Sequence, residues 1–457
     1  MLRKACKEAD LLGKGILMIT LPEKAKAIIK TLEEKGYEAY AVGGCIRDSL
    51  RGRRPHDWDI TTSAMPEEVR RLFKRTVDTG MKHGTVTVLL GDDAFEVTTY
   101  RVDGEYLDGR HPESVTFTGD LLNDLKRRDF TINAMAYNEK EGLIDSFGGQ
   151  EDLAAGVIRA VGDPEERFQE DALRILRAVR FAAQLDFHID KATRAAAEKA
   201  SGSLRRISAE RIRDELLKLI TSDHPEKLRD CYELGMTAAF LPEFDTLMKT
   251  PQNTPHHRFS VGEHTISSMG YIAPDTVLRL TMLLHDMGKP ACRTTDESGR
   301  DHFYGHPEKS AVIADEVLRR LKLDNVTRHK VVQLVRFHDY RPKLSEAAVR
   351  RAVVKCGRES FPALFLVREA DTLAQSEYYR SEKLQYIQDY RELYEKIIAR
   401  GDCLTVRDLA LSGKDLIEMG YEPGPGLGRK LDGLLAAVLE DPSKNSREEL
   451  KQLLKSV

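Results

Sequence analysis

The stretch that decides the fold is Tyr40-Ala-Val-Gly-Gly-Cys-Ile-Arg-Asp48, which is followed at a short distance by Asp57-Trp-Asp59. The apolar residues before the glycines predict a short strand that runs into a turn at Gly43 and Gly44. Because glycine has no Cβ, the backbone amides of this turn can approach a phosphate closely. Arg47 comes about one helical turn later, where its guanidinium can add a charged fork to the same phosphate.

The two carboxylates of Asp57 and Asp59 lie one residue apart in a segment, residues 58–62, that has the composition of a strand. Residues i and i+2 of a strand point to the same face, so these carboxylates are expected to project together. Paired carboxylates are suitable ligands for Mg²⁺, a hard cation. Phosphates, metal ions and a nucleophile that meet in one place satisfy the requirement for in-line nucleotidyl transfer.

Two further blocks combine arginines and aspartates with apolar residues: Arg127-Arg-Asp-Phe-Thr-Ile-Asn-Ala-Met-Ala136 and Glu170-Asp-Ala-Leu-Arg-Ile-Leu-Arg-Ala-Val-Arg180. The second predicts one continuous helix on which every third residue from Asp171 forms a polar stripe. This stripe fits a surface helix with ion pairs, each worth about 0.2–0.5 kcal/mol. It also fits a surface that reads bases, because an Asp that accepts and an Arg that donates can match the pairing edge of C or A.

These ordered blocks, together with Ser208-Ala-Glu-Arg-Ile-x-x-Glu215, resemble the class II tRNA nucleotidyltransferases. This family contains the bacterial CCA-adding enzymes and the closely related bacterial poly(A) polymerases. The resemblance is dense over about residues 20 to 220. It implies a polymerase-beta-like nucleotidyltransferase head, with tRNA, CTP and ATP as partners and Mg²⁺ as cofactor.

The resemblance also implies a role for each matching residue. Asp57 and Asp59 are expected to hold the catalytic metal ions, with Glu96 as a third carboxylate on a neighbouring strand. The incoming nucleotide and its phosphates are assigned to Gly44, Arg47 and Arg128. Asp171 and Arg174 are expected to read the base, with support from Arg177 and Arg180.

A second constellation, of histidines and aspartates, lies in the middle of the chain. An adjacent His-Asp pair before Met-Gly-Lys, with a histidine about twenty residues earlier, resembles the HD phosphohydrolase superfamily. Imidazoles and carboxylates on packed helices are good ligands for divalent transition metals. The resemblance implies a metal site for phosphoester hydrolysis by metal-activated water, with His306 and His338 lining it or binding a second ion. Its implied metal ligands are His264, His285, Asp286 and Asp371.

The fold class expected from these patterns is α+β. The nucleotidyltransferase head carries a mixed sheet and is followed by an all-helical neck, an HD domain and a helical tail. The predicted boundaries are an N-terminal extension over 1–20, the head over 21–150, the neck over 151–250, the HD domain over 251–375 and the tail over 376–457.

Composition indicates a soluble, multidomain enzyme of the cytoplasm. The 457 residues include 71 Lys and Arg against 74 Asp and Glu, for a net charge of −3, so the chain lacks the basic character of a general nucleic-acid binder. The six cysteines are scattered, which argues against disulfides and a zinc ribbon. No apolar run approaches the ~20 residues of a membrane span, so no membrane partner is expected. The oligomeric state stays open.

The leading prediction of function is template-independent addition of CCA to tRNA 3′ ends, with pyrophosphate as the leaving group. A-adding, CC-adding and poly(A)-synthesising enzymes of the same family are the first alternatives. An HD-type metal-dependent phosphohydrolase with an RNA-binding N-terminal half is another, and a non-catalytic RNA-binding module is the last. A glycine-containing polar loop, residues 103–120, favours full CCA addition, because the resemblance implies that CC-adding members have this loop shortened.

Overall fold

The computed structural model describes residues 19–81, 84–103 and 115–455, which form two compact units. The first unit extends to Glu215 and includes Glu233–Ala239, and the second consists of Leu216–Tyr232 and the chain from Phe240 onward. Almost all of the predicted N-terminal extension, and residues 104–114 of the predicted loop, lie outside the described residues.

The first unit contains a mixed sheet of seven strands in the order β3-β4-β5-β2-β1-β8-β9. Only the β2–β5 pair is parallel, and the other neighbours are antiparallel. The strands and the short pair β6–β7 are β1 Ala39–Val42, β2 Ile60–Thr62, β3 Thr76–Gly80, β4 Thr85–Leu90, β5 Asp93–Thr99, β6 Arg101–Asp103, β7 Val115–Phe117, β8 Met135–Asn138 and β9 Gly142–Asp145.

Side chains of β1 alternate between two cores, as the two-residue period of a strand requires. Ala39 and Ala41 belong to a cluster with Ile28 and Ile46 from helices on one face of the sheet. Tyr40 and Val42 belong to a second cluster that includes residues of the helix after β7. Both faces of the central strand are therefore buried, which fixes the end of β1 and the glycine turn that follows it.

Helices surround and follow this sheet. Those in the first half of the chain are α1 Glu23–Glu33, α2 Gly44–Leu50, α3 Pro66–Leu72, α4 Leu121–Lys126, α5 Gly149–Ala155, α6 Pro164–Glu170, α7 Leu173–Leu185, α8 Lys191–Ala200 and α9 Ala209–Ile220. The next are α10 Leu228–Glu233, α11 Thr237–Phe240, α12 Pro242–Lys249, α13 Val261–Gly270, α14 Thr276–Leu284 and α15 Lys289–Cys292. The last are α16 His306–Arg320, α17 Asn325–Phe337, α18 Glu346–Cys356, α19 Phe361–Ala374, α20 Arg380–Arg400, α21 Gly413–Glu418, α22 Pro425–Glu440 and α23 Arg447–Leu453.

The second unit is predominantly helical, and an aromatic and aliphatic core joins α18, α19, α20 and α22. Phe361, Phe365 and Tyr390 pack with their ring centroids 5.3–5.7 Å apart in edge-to-face contacts. The longest helix, α20, ends at Gly401, whose φ of 68° is the left-handed conformation that glycine adopts most easily at a helix C-terminus. Among the described residues, no helix combines the length and the apolar character that crossing a membrane needs.

The α+β architecture with a mixed sheet in the head is confirmed, but the region after it is not purely helical. Two residues of β10, Val157–Ile158, pair in parallel with β11, His188–Ile189, within the stretch predicted as an all-helical neck. A second short pair, β12 Thr294–Thr295 with β13 Asp301–His302, interrupts the helices of the second unit. Two-residue strands are too short to produce a recognisable alternation of polar and apolar residues, so sequence periodicity misses them.

Candidate active site and candidate metal centre

Asp57 and Asp59 lie immediately before β2, and both side chains are exposed, whereas the Trp58 side chain between them is 8% exposed. This alternation places the two carboxylates on one face of the segment. The strand begins at Ile60, two residues later than the sequence predicts. The segment nevertheless stays attached to the sheet, because the Asp59 carbonyl oxygen accepts a hydrogen bond of 3.0 Å from the Val42 amide.

Glu96 lies on β5 beside these carboxylates. In the parallel β2–β5 pair, Ile60 is opposite Val97, so Asp59 and Glu96 occupy the preceding positions on the two neighbouring strands. Desolvation raises the pKa of Asp59, and the negative charges of Glu96 and Asp57 raise it further. Three carboxylates that lie close together at the start of β2 and on the neighbouring β5 are a suitable set of oxygen ligands for a divalent cation.

The glycine turn between β1 and α2 requires glycine at its first position. Gly43 has a φ of 83°, which is unfavourable for residues with a Cβ, and a Cβ there would lie 3.1 Å from Nη1 of Arg128. The Gly43 amide donates a hydrogen bond of 3.1 Å to the Met135 carbonyl oxygen, so one of the two amides predicted to face a phosphate is already engaged. Gly44 is the first residue of α2.

Arg47 is held by neighbouring side chains. Its Nη1 donates to Oδ1 of Asn133 at 2.7 Å, and its Nε and Nη2 donate to the two carboxylate oxygens of Asp48 at 2.9 and 3.0 Å. Its Cζ lies 5.2 Å from the centroid of the Phe181 ring. Arg47 therefore connects the glycine turn to the Arg-Arg-Asp block, which contains Asn133, and to α7.

Asp124, which the sequence analysis did not single out, anchors two arginines of the Arg-Arg-Asp block. Its buried carboxylate accepts hydrogen bonds from Arg127 at 2.7 and 3.0 Å, from Arg128 at 3.3 Å and from Thr61 of β2 at 3.1 Å. Burial alone would raise the pKa of Asp124, but Arg128 and Arg127 outweigh it and lower the pKa below its usual value. The sequence carries a signal for these contacts, because Asp124 precedes Arg127 and Arg128 by three and four residues, a spacing at which side chains on a helix meet.

Asp129 connects the Arg-Arg-Asp block to α7. Its Oδ1 accepts from the Phe130 amide at 2.8 Å and from Nδ2 of Asn133 at 3.1 Å, and its Oδ2 accepts from Nε and Nη2 of Arg177 at 2.9 and 2.6 Å. Burial opposes ionisation here, but Arg177 dominates and holds the pKa of Asp129 far below its ordinary value. This buried carboxylate is therefore fully ionised at neutral pH.

The prediction of one continuous helix from residue 170 to residue 180 is wrong at its start. Helix α6 ends at Glu170, Asp171 is extended with φ −141° and ψ 103°, and α7 begins at Leu173. The physical reason is a local bond, because Oδ1 of Asp171 accepts from the Leu173 amide at 3.1 Å in the manner of an N-terminal cap. Asp171 therefore lies beside the helical stripe of arginines and not on it.

Each of the two predicted base readers has partners within the protein. Asp171 accepts hydrogen bonds from Arg211, a residue that the sequence analysis did not assign, at 3.2 and 2.6 Å. Arg174 is 9% exposed, forms an ion pair with Glu170, and donates to the carbonyl oxygens of Arg167 at 3.1 Å and Arg127 at 2.8 Å. These bonds hold both side chains in defined orientations.

Arg180, the last residue of the predicted stripe, packs inside the first unit. Its Nε donates to Oε2 of Glu215 at 2.8 Å, and its Cζ lies 3.4 Å from the centroid of the Phe181 ring. Glu215 is also 3.6 Å from Nη1 of Arg177. The half-buried Arg177 and the buried Arg180 thus share Glu215, consistent with a supporting position.

The second unit brings the predicted histidines and aspartates of the middle of the chain together. Nε2 of His264 lies 2.9 Å from Asp371 and 3.7 Å from Asp286, and Nε2 of His285 lies 3.2 Å from Asp286 and 3.8 Å from Asp371. On the other side of Asp286, His306 and His338 lie 3.4 and 3.8 Å from its Oδ1. These side chains come from different helices or helix ends that converge on one buried cluster, the His–Asp centre.

Three of these histidines are oriented in the same way. Nδ1 of His285, His306 and His338 lies 2.6–2.8 Å from the carbonyl oxygen of the residue three positions earlier. An Nδ1–H that donates to a carbonyl leaves Nε2 as the free ligand atom, which is the common arrangement around bound metals. Among the described residues, Nε2 of His285 and Oδ1 of Asp286 are buried without a hydrogen-bond partner.

The His–Asp centre offers two groups of three ligand atoms that share Asp286. One group is His264, His285 and Asp286, and the other is Asp286, His306 and His338, with the atoms of each group within 4.8 Å of one another. Neutral imidazoles and carboxylates fit divalent transition metals. Nζ of Lys289, which the sequence analysis did not assign, also lies 2.7 Å from Oδ2 of Asp286.

Family models match three separate stretches of the chain. The poly A polymerase head domain matches residues 39–159, the "Probable RNA and SrmB- binding site of polymerase A" matches residues 186–248, and tRNA nucleotidyltransferase domain 2 matches residues 307–454. The first match contains the carboxylates, the glycine turn and the Arg-Arg-Asp block.

Relatives are similar over different lengths. The CCA-adding enzyme of Levilactobacillus brevis is 36% identical over 94% of this chain and 96% of its own length. That of Lactobacillus helveticus is 47% identical, over 52% of this chain and 59% of its own length.

Among solved structures, the CCA-adding enzyme of Bacillus stearothermophilus in complex with CTP is 31% identical, with a TM-score of 0.74 over 96% of this chain and 98% of that one. A CCA-adding enzyme of Thermotoga maritima, at 24% identity and a TM-score of 0.60 over 95% of this chain and 96% of that one, shares the fold. The similarity to the Levilactobacillus brevis enzyme extends over nearly the whole of both chains, and the chain belongs to the class II family of CCA-adding enzymes and poly(A) polymerases.

Proposed function

We propose that this protein adds C, C and A to the 3′ end of tRNA in the cytoplasm, without a template, from CTP and ATP. The observation that carries the proposal is the position of Glu96 beside Asp59 across the parallel β2–β5 pair, with Arg128 at the adjoining glycine turn. Membership in the CCA-adding family, and the CTP bound to the Bacillus stearothermophilus enzyme, support the same reaction.

Asp57, Asp59 and Glu96 are the residues that would hold Mg²⁺. Bound there, Mg²⁺ would activate the terminal 3′-hydroxyl of the tRNA and stabilise the departing pyrophosphate. Arg128 is held by Asp124 and also lowers the pKa of Asp59, so its charge acts at the carboxylates. It is therefore the arginine of this block that is best placed to bind the triphosphate.

Base selection is assigned to Asp171 and Arg174. Arg211 already donates to both carboxylate oxygens of Asp171, so a base that engages Asp171 competes with Arg211 or shares the carboxylate with it. Arg174 is fixed by two carbonyl oxygens, which leaves it little freedom to adapt to the wrong base. A site built to hydrogen-bond a specific edge rejects a base that leaves those groups unpaired.

The experiment is nucleotide addition to a tRNA that lacks its 3′ end, with labelled CTP and ATP supplied separately and together. Products resolved one nucleotide at a time distinguish full CCA addition from A-adding, CC-adding and poly(A)-synthesising activity. Addition of C, C and A, followed by arrest, supports the proposal. Failure to extend the tRNA with either nucleotide, by protein that is folded and binds tRNA, contradicts it.

A second function is favoured by the His–Asp centre. We propose that this centre belongs to an HD domain, predicted over 251–375, and hydrolyses a phosphoester with the help of divalent metals. Supporting this, Asp286 is shared by two groups of ligand atoms and has a buried oxygen without a hydrogen-bond partner among the described residues. Asp371, 2.9 Å from His264, completes the ligands of the first group.

Metal content measured by mass spectrometry tests this second function. The wild-type protein is expected to bind two divalent ions per chain at the His–Asp centre. Asp286→Asn should lose both ions, because this residue belongs to both groups, whereas His306→Ala with His338→Ala should lose one. Retention of the full metal content by folded Asp286→Asn protein, or absence of bound metal from the wild type, would contradict the assignment of a metal centre that shares Asp286.

A further inference from the structure

Arg368, on α19, is a buried arginine whose charge is incompletely satisfied. It is 7% exposed, and its Nη1 has no hydrogen-bond partner among the described residues. Its Cζ lies 5.1 and 5.8 Å from the ring centroids of Tyr386 and Tyr390. Arg350, which is also buried, instead donates to Asp402 and to two carbonyl oxygens. A buried charge that lacks a hydrogen-bond partner is costly, so an additional partner is expected.

Two more cations line the cavity that contains Arg368. Arg341 and Lys383 are on its wall, and its volume is about 210 Å³. Burial lowers the pKa of both Arg368 and Lys383, and the positive charge of Arg341 lowers both further. Tyr386 and Asp339 act in the opposite direction on Arg368, as Asp371 and Asp339 do on Lys383. We call the space lined by Arg341, Arg368 and Lys383 the cationic cavity. The three positive charges repel one another in this partly desolvated space.

Two of the three carboxylates near the cationic cavity have partners of their own. Asp339 accepts two hydrogen bonds from Arg341, at 2.9 and 2.6 Å. Asp371 lies within hydrogen-bond distance of His264 and accepts from Gln375. Glu382, the third carboxylate on the wall, is exposed. An anion from outside the chain would therefore satisfy Nη1 of Arg368 and relieve the repulsion at the same time.

The cationic cavity adjoins the His–Asp centre. His338 and Asp371 line it, and both also line a neighbouring cavity of about 320 Å³ that contains Asp286 and His306. Tetrahedral oxyanions such as phosphate are the anions for which arginine and lysine together are suited, because the guanidinium fork and the ammonium can bond several oxygens. The small volume of the cationic cavity fits one phosphate group more readily than a whole nucleotide.

We infer that Arg341, Arg368 and Lys383 form an oxyanion-binding subsite that holds a phosphate group of the molecule hydrolysed at the His–Asp centre. The assignment of this phosphate to a substrate rests on the proposed phosphoester hydrolysis. Binding of the oxyanion itself does not rest on that function, because the three cations are present whether or not a metal is bound.

The test is binding of inorganic phosphate to the full-length protein, followed by calorimetry and by thermal unfolding at constant ionic strength with chloride as the reference anion. Phosphate should raise the melting temperature of the wild type. Arg368→Met should remove the part of this rise that arises at the cationic cavity and weaken phosphate binding there about tenfold or more, because hydrogen bonds to charged groups are lost. Arg341→Gln, at an exposed side chain that is readily tolerated, should weaken binding in the same direction.

Arg350→Met is the matched control, because it removes a buried arginine that has its own partners. It should lower the melting temperature and leave the response to phosphate unchanged. Equal phosphate binding by wild type, Arg368→Met and Arg341→Gln would overturn the inference. Metal content and phosphoester hydrolysis are measured on the same samples. Arg368-dependent phosphate binding by protein without metal or hydrolysis would refute the proposed second function and leave the oxyanion subsite standing.

Discussion

Arg177 donates hydrogen bonds of 2.9 and 2.6 Å, from Nε and Nη2, to the same carboxylate oxygen of Asp129. This pair joins the Arg-Arg-Asp block to α7. Asn133 donates to Asp129 and accepts from Arg47, so it links the pair to the glycine turn. Arg47, assigned to phosphate binding, and Arg177, assigned to support of the base readers, are therefore parts of one continuous hydrogen-bonded network inside the first unit.

Asp129→Asn should lower the free energy of unfolding by about 3 kcal/mol at neutral pH, because the buried carboxylate loses its charged hydrogen bonds from the half-buried Arg177. The pKa of Asp129 is lowered in the folded protein, so its stabilisation is complete above the ordinary value of 3.8 and is lost as the pH falls below it. The difference in urea stability between wild type and variant should therefore shrink progressively as the pH falls below 3.8, towards the lowered pKa of the folded state. Asp93→Asn, which breaks an exposed ion pair with Lys24, should cost less than about 1 kcal/mol at either pH. A neutral-pH effect of Asp129→Asn as small as that would contradict the role of the pair.

Asp59→Asn should reduce nucleotide addition by roughly 10³-fold or more, because a metal-binding carboxylate contributes several kcal/mol of transition-state stabilisation. The fold should be retained, since the Asp59 side chain is exposed and its hydrogen bond to Val42 is made by the backbone. Single-turnover addition and circular dichroism measure the two effects. Asp92→Asn, in the turn between β4 and β5, is the control and should be fully active. Addition at near wild-type rates by Asp59→Asn would exclude a metal-binding role for this residue.

Gly43→Ala and Gly36→Ala form a matched pair, because the two glycines have φ values of 83° and 84°. Both substitutions should cost about 1–2 kcal/mol of stability through the strained backbone conformation. Only the Cβ at position 43 meets a neighbour, Nη1 of Arg128 at 3.1 Å, whereas nothing lies within 4 Å at position 36. Gly43→Ala alone should therefore raise the KM for CTP and ATP. Equal effects of the two variants on KM would show that Arg128 does not contribute to nucleotide binding.

The central strand, the glycine turn and the alternation of Asp57, Trp58 and Asp59 could be predicted because they depend on short-range periodicity. Sequence spacing also singled out the histidines and aspartates that the structure brings together in the His–Asp centre, because their residue types and order are distinctive. The interruption between α6 and α7 was missed, because the cap formed by Asp171 competes locally with a strong helical pattern. Arg211 as the partner of Asp171 could not be foreseen either, since that contact joins residues 40 positions apart and depends on how helices pack.

Arg174→Lys should preserve the positive charge and lose selectivity. The guanidinium bonds two carbonyl oxygens through separate nitrogens, an arrangement that an ammonium cannot reproduce. Discrimination of CTP and ATP against UTP and GTP should fall by about 10- to 100-fold, a loss equivalent to one or two charge-assisted hydrogen bonds. Arg213→Lys, at an arginine that pairs with Asp214 on α9, should leave selectivity unchanged. Competition assays with all four nucleotides provide the measurement, and wild-type selectivity in Arg174→Lys would remove this residue from base reading.

The two proposed activities should be separable, because their residues belong to different compact units of the chain. His285→Ala combined with Asp286→Ala should abolish phosphoester hydrolysis and metal binding at the His–Asp centre. Addition of CCA should stay within about twofold of the wild-type rate, since independent sites influence each other by less than about 0.5 kcal/mol. Asp59→Asn is the reciprocal control and should lose addition while it retains hydrolysis. Removing Asp286 also leaves Lys289 buried without its carboxylate partner, so the double variant is first checked for cooperative unfolding. Loss of CCA addition by a double variant that still unfolds cooperatively would mean that the His–Asp centre is required for nucleotidyl transfer.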